Sequence, residues 1–147
     1  MSRLSLANSL VTSKNRIPSI LIDEEFASGT GGFTFTATTG SNDSGTLKTI
    51  ASGVSTPHYA YQILQLTPGV SYKYSVQLVT SGLGGGHIWI GSGVGNNDII
   101  NHDAPSATTY TGTFDPDHNL TIIVLHLVGD NNNITTKWND ILIEEDN

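Results

Sequence analysis

The sequence predicts an all-β protein: a jelly-roll β-sandwich of two antiparallel sheets, preceded by an extended N-terminal arm. Three observations support this class. Short apolar runs are separated by Gly, Pro, Asn, Asp and Ser, which is typical of strands joined by turns. Apolar residues with helical spacing occur only in residues 4–11, over fewer residues than an isolated helix needs. The length of 147 residues suits one domain with a sizeable core.

Residues 1–18 form the predicted arm, and residues 19–147 form the predicted sandwich domain. The arm has a formal charge of +3, whereas the domain, with three lysines against thirteen acids, has a charge of −10. The arm also carries several apolar side chains. We expect it to anchor the protein to a larger assembly through Arg3, Leu4, Leu6, Leu10, Val11, Lys14 and Arg16. The alternative is that the arm folds back on its own domain.

Nine strands are predicted after the arm, near residues 19–26, 33–39, 45–51, 58–66, 70–80, 86–91, 107–114, 119–128 and 136–144. The run 70–80 alternates, and Tyr72 and Tyr74 lie on its apolar side, so both are predicted to be core residues. The run 119–128 is apolar on both sides, so both sides must be covered. The arm, a loop or another subunit could cover the second side. We expect a dimer or trimer that meets around this strand.

Turns and loops follow from small and turn-forming residues. In Thr67-Pro68-Gly69, proline fixes φ and glycine accepts a positive φ, as a type II turn requires. Asp115 and Asp117 flank Pro116 and are interpreted as turn residues rather than as the paired acids of a glycosidase. The segment 93–107 lacks periodicity, and loops of this length are usually functional or mobile.

Composition and motifs exclude several classes of function. The net charge of −7 argues against nucleic acid as the main partner, because an acidic domain repels a phosphate backbone. No apolar run approaches the ~20 residues that cross a bilayer, so no membrane insertion is expected. The absence of cysteine fits a reducing compartment. No nucleophile elbow, zincin motif or P-loop is present, and the five histidines lack metal spacing, so no enzyme activity is expected.

The stretch 61–72 resembles the jelly roll of carbohydrate-binding modules, also called the galactose-binding-like fold. The residues that carry this resemblance are Tyr61, Gln62, Leu66, Thr67, Pro68, Gly69 and Tyr72. Further similarities follow in the family's order: residues 21–29 resemble its opening strand, 108–114 the segment before its penultimate strands, and 136–145 its closing strand. Related domains occur in surface proteins of bacteriophage virions.

The resemblance implies a candidate cofactor, a structural calcium held between the opening and closing strands. Asp23, Glu25 and Asp140 would be its ligands, because hard cations take several carboxylate and carbonyl oxygens. The family's closing pair of aspartates reads Asn139-Asp140 here, which weakens the match. The alternative is that these acids are solvated strand ends.

A sugar site would combine exposed aromatic faces with Asn, Asp and Gln side chains. The candidates are Trp89, Trp138, Tyr110, Asn96, Asn97 and Asp98. Each tryptophan could pack in the core instead. If the protein has a glycan site, at least one of the two is expected to be partly exposed beside the 93–107 loop. His126 shares a strand side with Val124 and Val128 and is interpreted as a core or interface histidine.

Two functions fit these observations. The first is a bacteriophage virion structural protein, such as a capsid decoration, head fibre or tail accessory protein, assembled in the host cytoplasm. Its arm would bind other virion proteins and its domain would face host glycans. The alternative is a free-standing carbohydrate-binding or adhesin module that recognises a cell-surface glycan.

Overall fold

The structure is a computed structural model that describes residues 18–52, 58–80, 85–129 and 135–147. These residues form eleven strands and no helix, and therefore no helix that could span a membrane. The strands are β1 (Ile20–Glu24), β2 (Thr34–Thr36), β3 (Thr38–Asn42), β4 (Leu47–Ala51), β5 (His58–Gln65), β6 (Tyr72–Thr80), β7 (Gly86–Gly91), β8 (Ile100–Ala104), β9 (Thr108–Phe114), β10 (Ile122–Gly129) and β11 (Thr135–Glu145). The predicted all-β class is confirmed.

Two antiparallel sheets pack face to face. One has six strands in the order β3-β4-β11-β6-β9, with β1 also paired to β11, and the other has five in the order β2-β5-β10-β7-β8. Strands β4 and β1 follow one another along the same edge of β11, because β4 pairs with its first half and β1 with its second. A bulge separates the halves at Asn139–Leu142, where Asp140 has a φ of 44°. The predicted jelly-roll sandwich is confirmed.

The core fills the space between the sheets. Its largest fully buried side chains are Trp138, Tyr72, Phe26, Leu47, Leu78, Ile88, Ile90, Ile123, Leu125, Leu127, Ile141 and Ile143. Full burial of one such side chain contributes about 1.5–3 kcal/mol. Tyr74 is also buried, so both tyrosines of the alternating strand are core residues, as predicted. Tyr72 additionally receives a hydrogen bond from the N–H of Thr67 at 2.8 Å, which ties it to the predicted turn, where Gly69 has a φ of 76°.

The predicted strand 33–39 is in fact two strands in different sheets. Ala37 has a φ of 48°, and this corner separates β2 in the five-stranded sheet from β3 in the six-stranded sheet. Phe35 turns inward and lies against Gly40, where a Cβ atom would overlap the ring. No periodicity in the sequence reveals this corner or this close approach.

A second difference lies in the segment 93–107, predicted as one long loop. Residues Ile100–Ala104 form β8, the edge strand beside β7. Ile100, His102 and Ala104 face the core side, and Asn101 and Asp103 face outward. Polar residues of low β propensity concealed this strand from the sequence pattern.

Strand β10 is covered on both sides, as its sequence requires. Ile123, Leu125 and Leu127 belong to the core, whereas Val124, His126 and Val128 lie on the opposite side and are also buried. This burial occurs within one chain. Another subunit is therefore not needed to cover the strand, and the expectation that copies of the protein meet around it stays a prediction.

The predicted arm, up to residue 17, lies outside the described residues, and so do its anchor residues Arg3 to Arg16. Its role stays a prediction. The first described contact of this end is between the N–H of Glu145 and the carbonyl of Ser19, at 2.9 Å, directly before β1 begins.

Candidate functional site

The outer face of the five-stranded sheet carries aromatic residues where a solvent-facing sheet usually carries polar ones. Alternation along each strand places them there. In β5, Ala60 and Leu64 join the core, so Tyr59 and Tyr61 face outward. In β7, Ile88 and Ile90 join the core, so Trp89 faces outward.

The strand register aligns these residues in one row across all five strands. Thr34 pairs with Tyr61, Tyr61 with His126, His126 with Trp89, and Trp89 with Asn101. The ring centroid of His126 lies 6.3 Å from that of Tyr61 and 6.1 Å from that of Trp89. The histidine thus lies between two larger rings, with a polar residue at each end of the row.

A second row runs parallel to the first and contains Thr36, Tyr59, Val128, His87 and Asp103. The ring of Tyr59 stands at 89° to that of His126, with centroids 4.9 Å apart. At the far end, His87 Nδ1 lies 2.8 Å from Asp103 Oδ1. We call Tyr59, Tyr61, Trp89 and His126 the aromatic face.

The four rings differ in exposure. Tyr59 and His126 are buried, whereas Tyr61 and Trp89 are half-buried. Next to Tyr61, Ile63 is 53% exposed and extends the apolar surface along β5. Tyr59 and His126 therefore form the floor of the aromatic face, and Tyr61 and Trp89 expose part of their ring surface.

Loop 92–98, between β7 and β8, borders the aromatic face. Its base is closed by Asp98, whose carboxylate accepts hydrogen bonds from the Ser92 backbone N–H at 2.8 Å and from the Ser92 hydroxyl at 2.6 Å. Both hydrogen bonds hold the pKa of Asp98 below its ordinary value, and the bond from the Ser92 hydroxyl has the larger effect. Within the loop, the N–H of Asn96 donates to the carbonyl of Gly93 at 3.1 Å.

The tip of the loop is held against the face by His126. The backbone N–H of Gly95 donates to His126 Nε2 at 2.9 Å. The loop also lies on Gly91, where a Cβ atom would overlap the carbonyl oxygen of Asn96. Gly91 pairs with Val124, so the loop covers the end of the face next to that residue. Burial lowers the pKa of His126 below its ordinary value, which favours the neutral ring.

The structure separates the residues predicted to bind sugar. Trp89 lies on the aromatic face, and Asn96, Asn97 and Asp98 lie in the loop that borders it, all three exposed. Trp138 is fully buried in the core, so the suggestion that it binds sugar is wrong. Its side chain points between the sheets, as do those of Ile141 and Ile143 on the other side of the bulge in β11.

Tyr110 also lies away from the aromatic face. It is in β9 of the six-stranded sheet, packs against the core and donates a hydrogen bond to the carbonyl of Ser106 at 2.6 Å. Its ring lies 5.2 Å from that of His102, between the two sheets. The structure therefore does not place it with Trp89.

Three residues of the face were missed by the sequence prediction: Tyr59, Tyr61 and His126. A signal was present, because Tyr59 and Tyr61 alternate with Ala60 and Leu64, and His126 alternates with Leu125 and Leu127. Alternation separates the two sides of a strand, but it does not show which side faces the core when both are apolar or aromatic.

The predicted calcium ligands do not fit a cation. Asp23, Glu25 and Asp140 are all exposed, and the described residues contain no cluster of three His, Asp or Glu side chains that could hold a metal. Nearby carbonyls are satisfied by protein groups, since Asn42 Nδ2 donates to the carbonyls of Phe26 at 2.7 Å and Gly29 at 2.8 Å. These acids behave as the solvated strand ends of the alternative interpretation.

Comparison with solved structures identifies similar folds. The chain superposes with a TM-score of 0.62 and 18% identity on a crystal structure of the CBM22-1 and GH10 modules of Clostridium thermocellum endo-1,4-beta-D-xylanase 10B in complex with xylohexaose. The match covers 89% of this chain and 29% of that one, so this chain spans less than a third of the enzyme fragment. The fold is a carbohydrate-binding-module-like β-sandwich.

Two further structures share this fold. A CBM4 structure matches with a TM-score of 0.56 and 14% identity over 84% of both chains. The K3 adhesin domain of Lys-gingipain from Porphyromonas gingivalis matches with a TM-score of 0.56 and 10% identity, over 87% of this chain and 99% of that one. No family model and no curated protein matches the sequence.

Proposed function

We propose that this protein is a glycan-binding module that binds sugars on the aromatic face without transforming them. One observation carries the proposal: half-buried Tyr61 and Trp89 flank buried His126 in a single row across the sheet. Aromatic rings bury apolar surface well, while their edges and neighbours supply hydrogen bonds. A sugar ring, with apolar C–H faces and polar hydroxyl groups, complements such a surface.

Polar groups surround the rings at the positions that sugar hydroxyls would reach. Thr34 and Asn101 end the row that contains Trp89, and Thr36 and Asp103 end the neighbouring row. A few polar groups around an apolar surface are typical of small-molecule sites, where they determine orientation and specificity. The exposed Asn96 and Asn97 of loop 92–98 add amide groups along one border.

The charge of this sheet favours an uncharged glycan. All three lysines after residue 18 lie on the six-stranded sheet: Lys48 in β4, Lys73 in β6 and Lys137 in β11. The five-stranded sheet contains no lysine or arginine, while Asp103 and nearby Asp98 are acidic. A uronic acid or sulfated sugar would thus meet negative charge without a compensating lysine or arginine among the described residues of this sheet.

The structural comparisons support this proposal at the level of the fold. The Clostridium thermocellum structure was determined with xylohexaose bound, and the Porphyromonas gingivalis domain is described as an adhesin domain. Both descriptions are compatible with the free-standing binding or adhesin module that the sequence offered as its alternative.

Calorimetric titration of the full chain with a panel of neutral oligosaccharides, xylohexaose and cellohexaose among them, tests the proposal. We expect weak to moderate binding that Trp89→Ala reduces at least ~10-fold, about 1.4 kcal/mol. Thr111→Ala, an exposed change on the six-stranded sheet, is the matched control and should bind normally. If no member of the panel binds, or if Trp89→Ala binds as well as the unmodified chain, the proposal is wrong.

We also propose, from the sequence, a location for such a module: the surface of a bacteriophage virion, as a decoration, head fibre or tail protein attached by residues 1–18. The opposite charges of the arm and the domain support this. Deleting residues 1–18 should leave a folded domain that no longer joins its assembly. An unfolded domain, or unchanged assembly, would show that the arm is not an anchor.

The oligomeric state is a separate expectation. Light scattering of the full chain should give two or three times the protomer mass of 15.6 kDa if it forms the predicted dimer or trimer. Because the outer side of β10 is buried within one chain, copies that meet around this strand would contact the groups that cover it. A mass of one protomer at high concentration would exclude it.

A further inference from the structure

We propose that His126 is a pH-dependent latch for loop 92–98: the neutral ring holds the loop closed over one end of the aromatic face, and protonation of the ring releases it. The effect on glycan binding rests on the proposed function, whereas the latch itself does not.

The latch is a single hydrogen bond between a buried ring and an exposed loop residue. His126 Nε2 accepts the N–H of Gly95 at 2.9 Å, and the histidine is fully buried beneath the loop. Gly95 has a φ of 85°, in the left-handed region that favours glycine. A Cβ on this residue would also lie 3.2 Å from the Tyr59 hydroxyl oxygen, so the loop tip is closely packed on the face.

The direction of this bond determines its response to protons. A backbone N–H can only donate, so Nε2 must accept and the neutral ring carries its proton on Nδ1. Protonation places a hydrogen on Nε2 and turns the acceptor into a donor. Two donors then face one another, and the bond to Gly95 is lost. No other change of protonation state is required.

Among the described residues, no charged side chain pairs with the ring of His126. From β5, Tyr59 and Tyr61 face it, and from β7, Trp89. His87, beyond Trp89, is paired with Asp103 of β8, and Asp98 of the loop is bound to Ser92. Nδ1 has no hydrogen-bond partner in the described part of the chain. Burial has the largest effect and lowers the pKa of His126, whereas the backbone groups of Trp89 and Val124 favour the charged ring and oppose that shift.

Release of the tip would leave the base of the loop in place. The two hydrogen bonds between Ser92 and Asp98, and the bond from the Ile99 N–H to the Ile90 carbonyl at 3.1 Å, do not involve His126. The tip would swing away from Gly91 and expose Val124, which is next to the exposed Ile63. The aromatic face would then extend toward that end of the sheet.

Amide hydrogen exchange and chemical shift of Gly95, followed by NMR on the full chain between pH 8 and pH 5, test the latch without any ligand. We expect a loss of protection of about tenfold, corrected for the intrinsic pH dependence of exchange, as the His126 ring titrates. The amides of Ser92 and Ile99 at the base should stay protected.

Three variants separate the latch from general effects of acid. His126→Gln retains an uncharged acceptor near the Nε2 position, so Gly95 should remain protected at every pH. His126→Phe removes the acceptor, so Gly95 should exchange rapidly even at pH 8. His118→Gln changes a histidine that lies before β10 begins and whose side chain is 81% exposed, so it should retain the transition.

Two results would overturn the latch: protection of Gly95 that persists while the His126 ring titrates, or a transition that survives in His126→Gln. Either can occur whether or not the protein binds sugar. Conversely, a pH-dependent Gly95 in a protein that binds no glycan would contradict only the proposed function. If both hold, glycan affinity should change at least about threefold over the same pH range in the unmodified chain and not in His126→Gln.

Discussion

The carbonyl of Asn96 lies directly against Gly91, so closely that a Cβ atom on residue 91 would overlap its oxygen. Gly91 ends β7, and the loop that begins at the next residue folds back over it. The missing side chain at this position is what allows loop 92–98 to lie flat on the sheet. The position of the loop beside the aromatic face thus depends on a residue that has no side chain.

Gly91→Ala should lift the loop from the sheet. The φ of Gly91 is not positive, so alanine is compatible with the backbone, and the expected effect is steric. We expect the Gly95 amide to lose protection at pH 8, where the unmodified loop is closed, as measured by hydrogen exchange.

Gly93→Ala is the matched control within the same loop. A Cβ at residue 93 would lie 3.3 Å from Asn96 Nδ2, the end of a side chain that can shift. It should leave Gly95 protected. Equal protection in both variants and the unmodified chain would show that the contact at Gly91 does not hold the loop.

The two tryptophans should differ sharply in their contribution to stability. Trp138 is fully buried and half-buried Trp89 is on the outer face. Trp138→Ala should lower the free energy of unfolding by about 3–5 kcal/mol because it leaves a cavity in the core, or prevent folding. Trp89→Ala should cost much less. Urea unfolding followed by circular dichroism measures both, and equal losses would contradict the placement of Trp89 on the outer face.

Tyr74 and His102 connect the two sheets through a contact of 2.6 Å between the Tyr74 hydroxyl and His102 Nδ1. Burial raises the pKa of Tyr74 above its ordinary value, so the phenol stays protonated at neutral pH. Tyr74→Phe should lower the free energy of unfolding by about 1–3 kcal/mol, because His102 loses its partner in a part-buried place.

Tyr110→Phe is the comparison for this change. It removes an exposed hydrogen bond to Ser106, which water can replace, so its cost in the same urea experiment should be smaller. A larger loss for Tyr110→Phe would show that the contact between Tyr74 and His102 contributes little.

Stability should fall on mild acidification through His126. The pKa of its ring is lower in the folded protein than the ordinary 6.5, so the unfolded chain binds more protons below that pH. The contribution is fully present above pH 6.5 and is lost as the pH falls toward the lower folded value. The slope is at most about 1.4 kcal/mol per pH unit.

Urea midpoints at pH 7.5 and pH 5.5 measure this slope. His126→Gln should show a smaller decrease than the unmodified chain. His118→Gln should show the same decrease as the unmodified chain. If His126→Gln and the unmodified chain have the same slope, other groups account for the acid sensitivity.

The sequence by itself determined the class of the fold. Alternation and turn residues located most strands, and the core roles of Tyr72 and Tyr74 and the turn at Gly69 followed from local chemistry. These features are local, because strand period and turn geometry depend on residues near one another in the chain. The sequence also predicted that Trp89 and the loop residues Asn96, Asn97 and Asp98 lie near one another.

Only the tertiary structure decided which side of each strand faced the core and which strands were neighbours. Tyr61, His126 and Trp89 are far apart in sequence and meet because β5, β10 and β7 pair in register. The same pairing buries Trp138, covers the second side of β10 with groups of the same chain, and keeps Asp23, Glu25 and Asp140 from forming a cation site. Strand pairing is determined by packing of the whole core, which joins residues far apart in the chain. The period of two within one strand therefore does not predict which strands become neighbours.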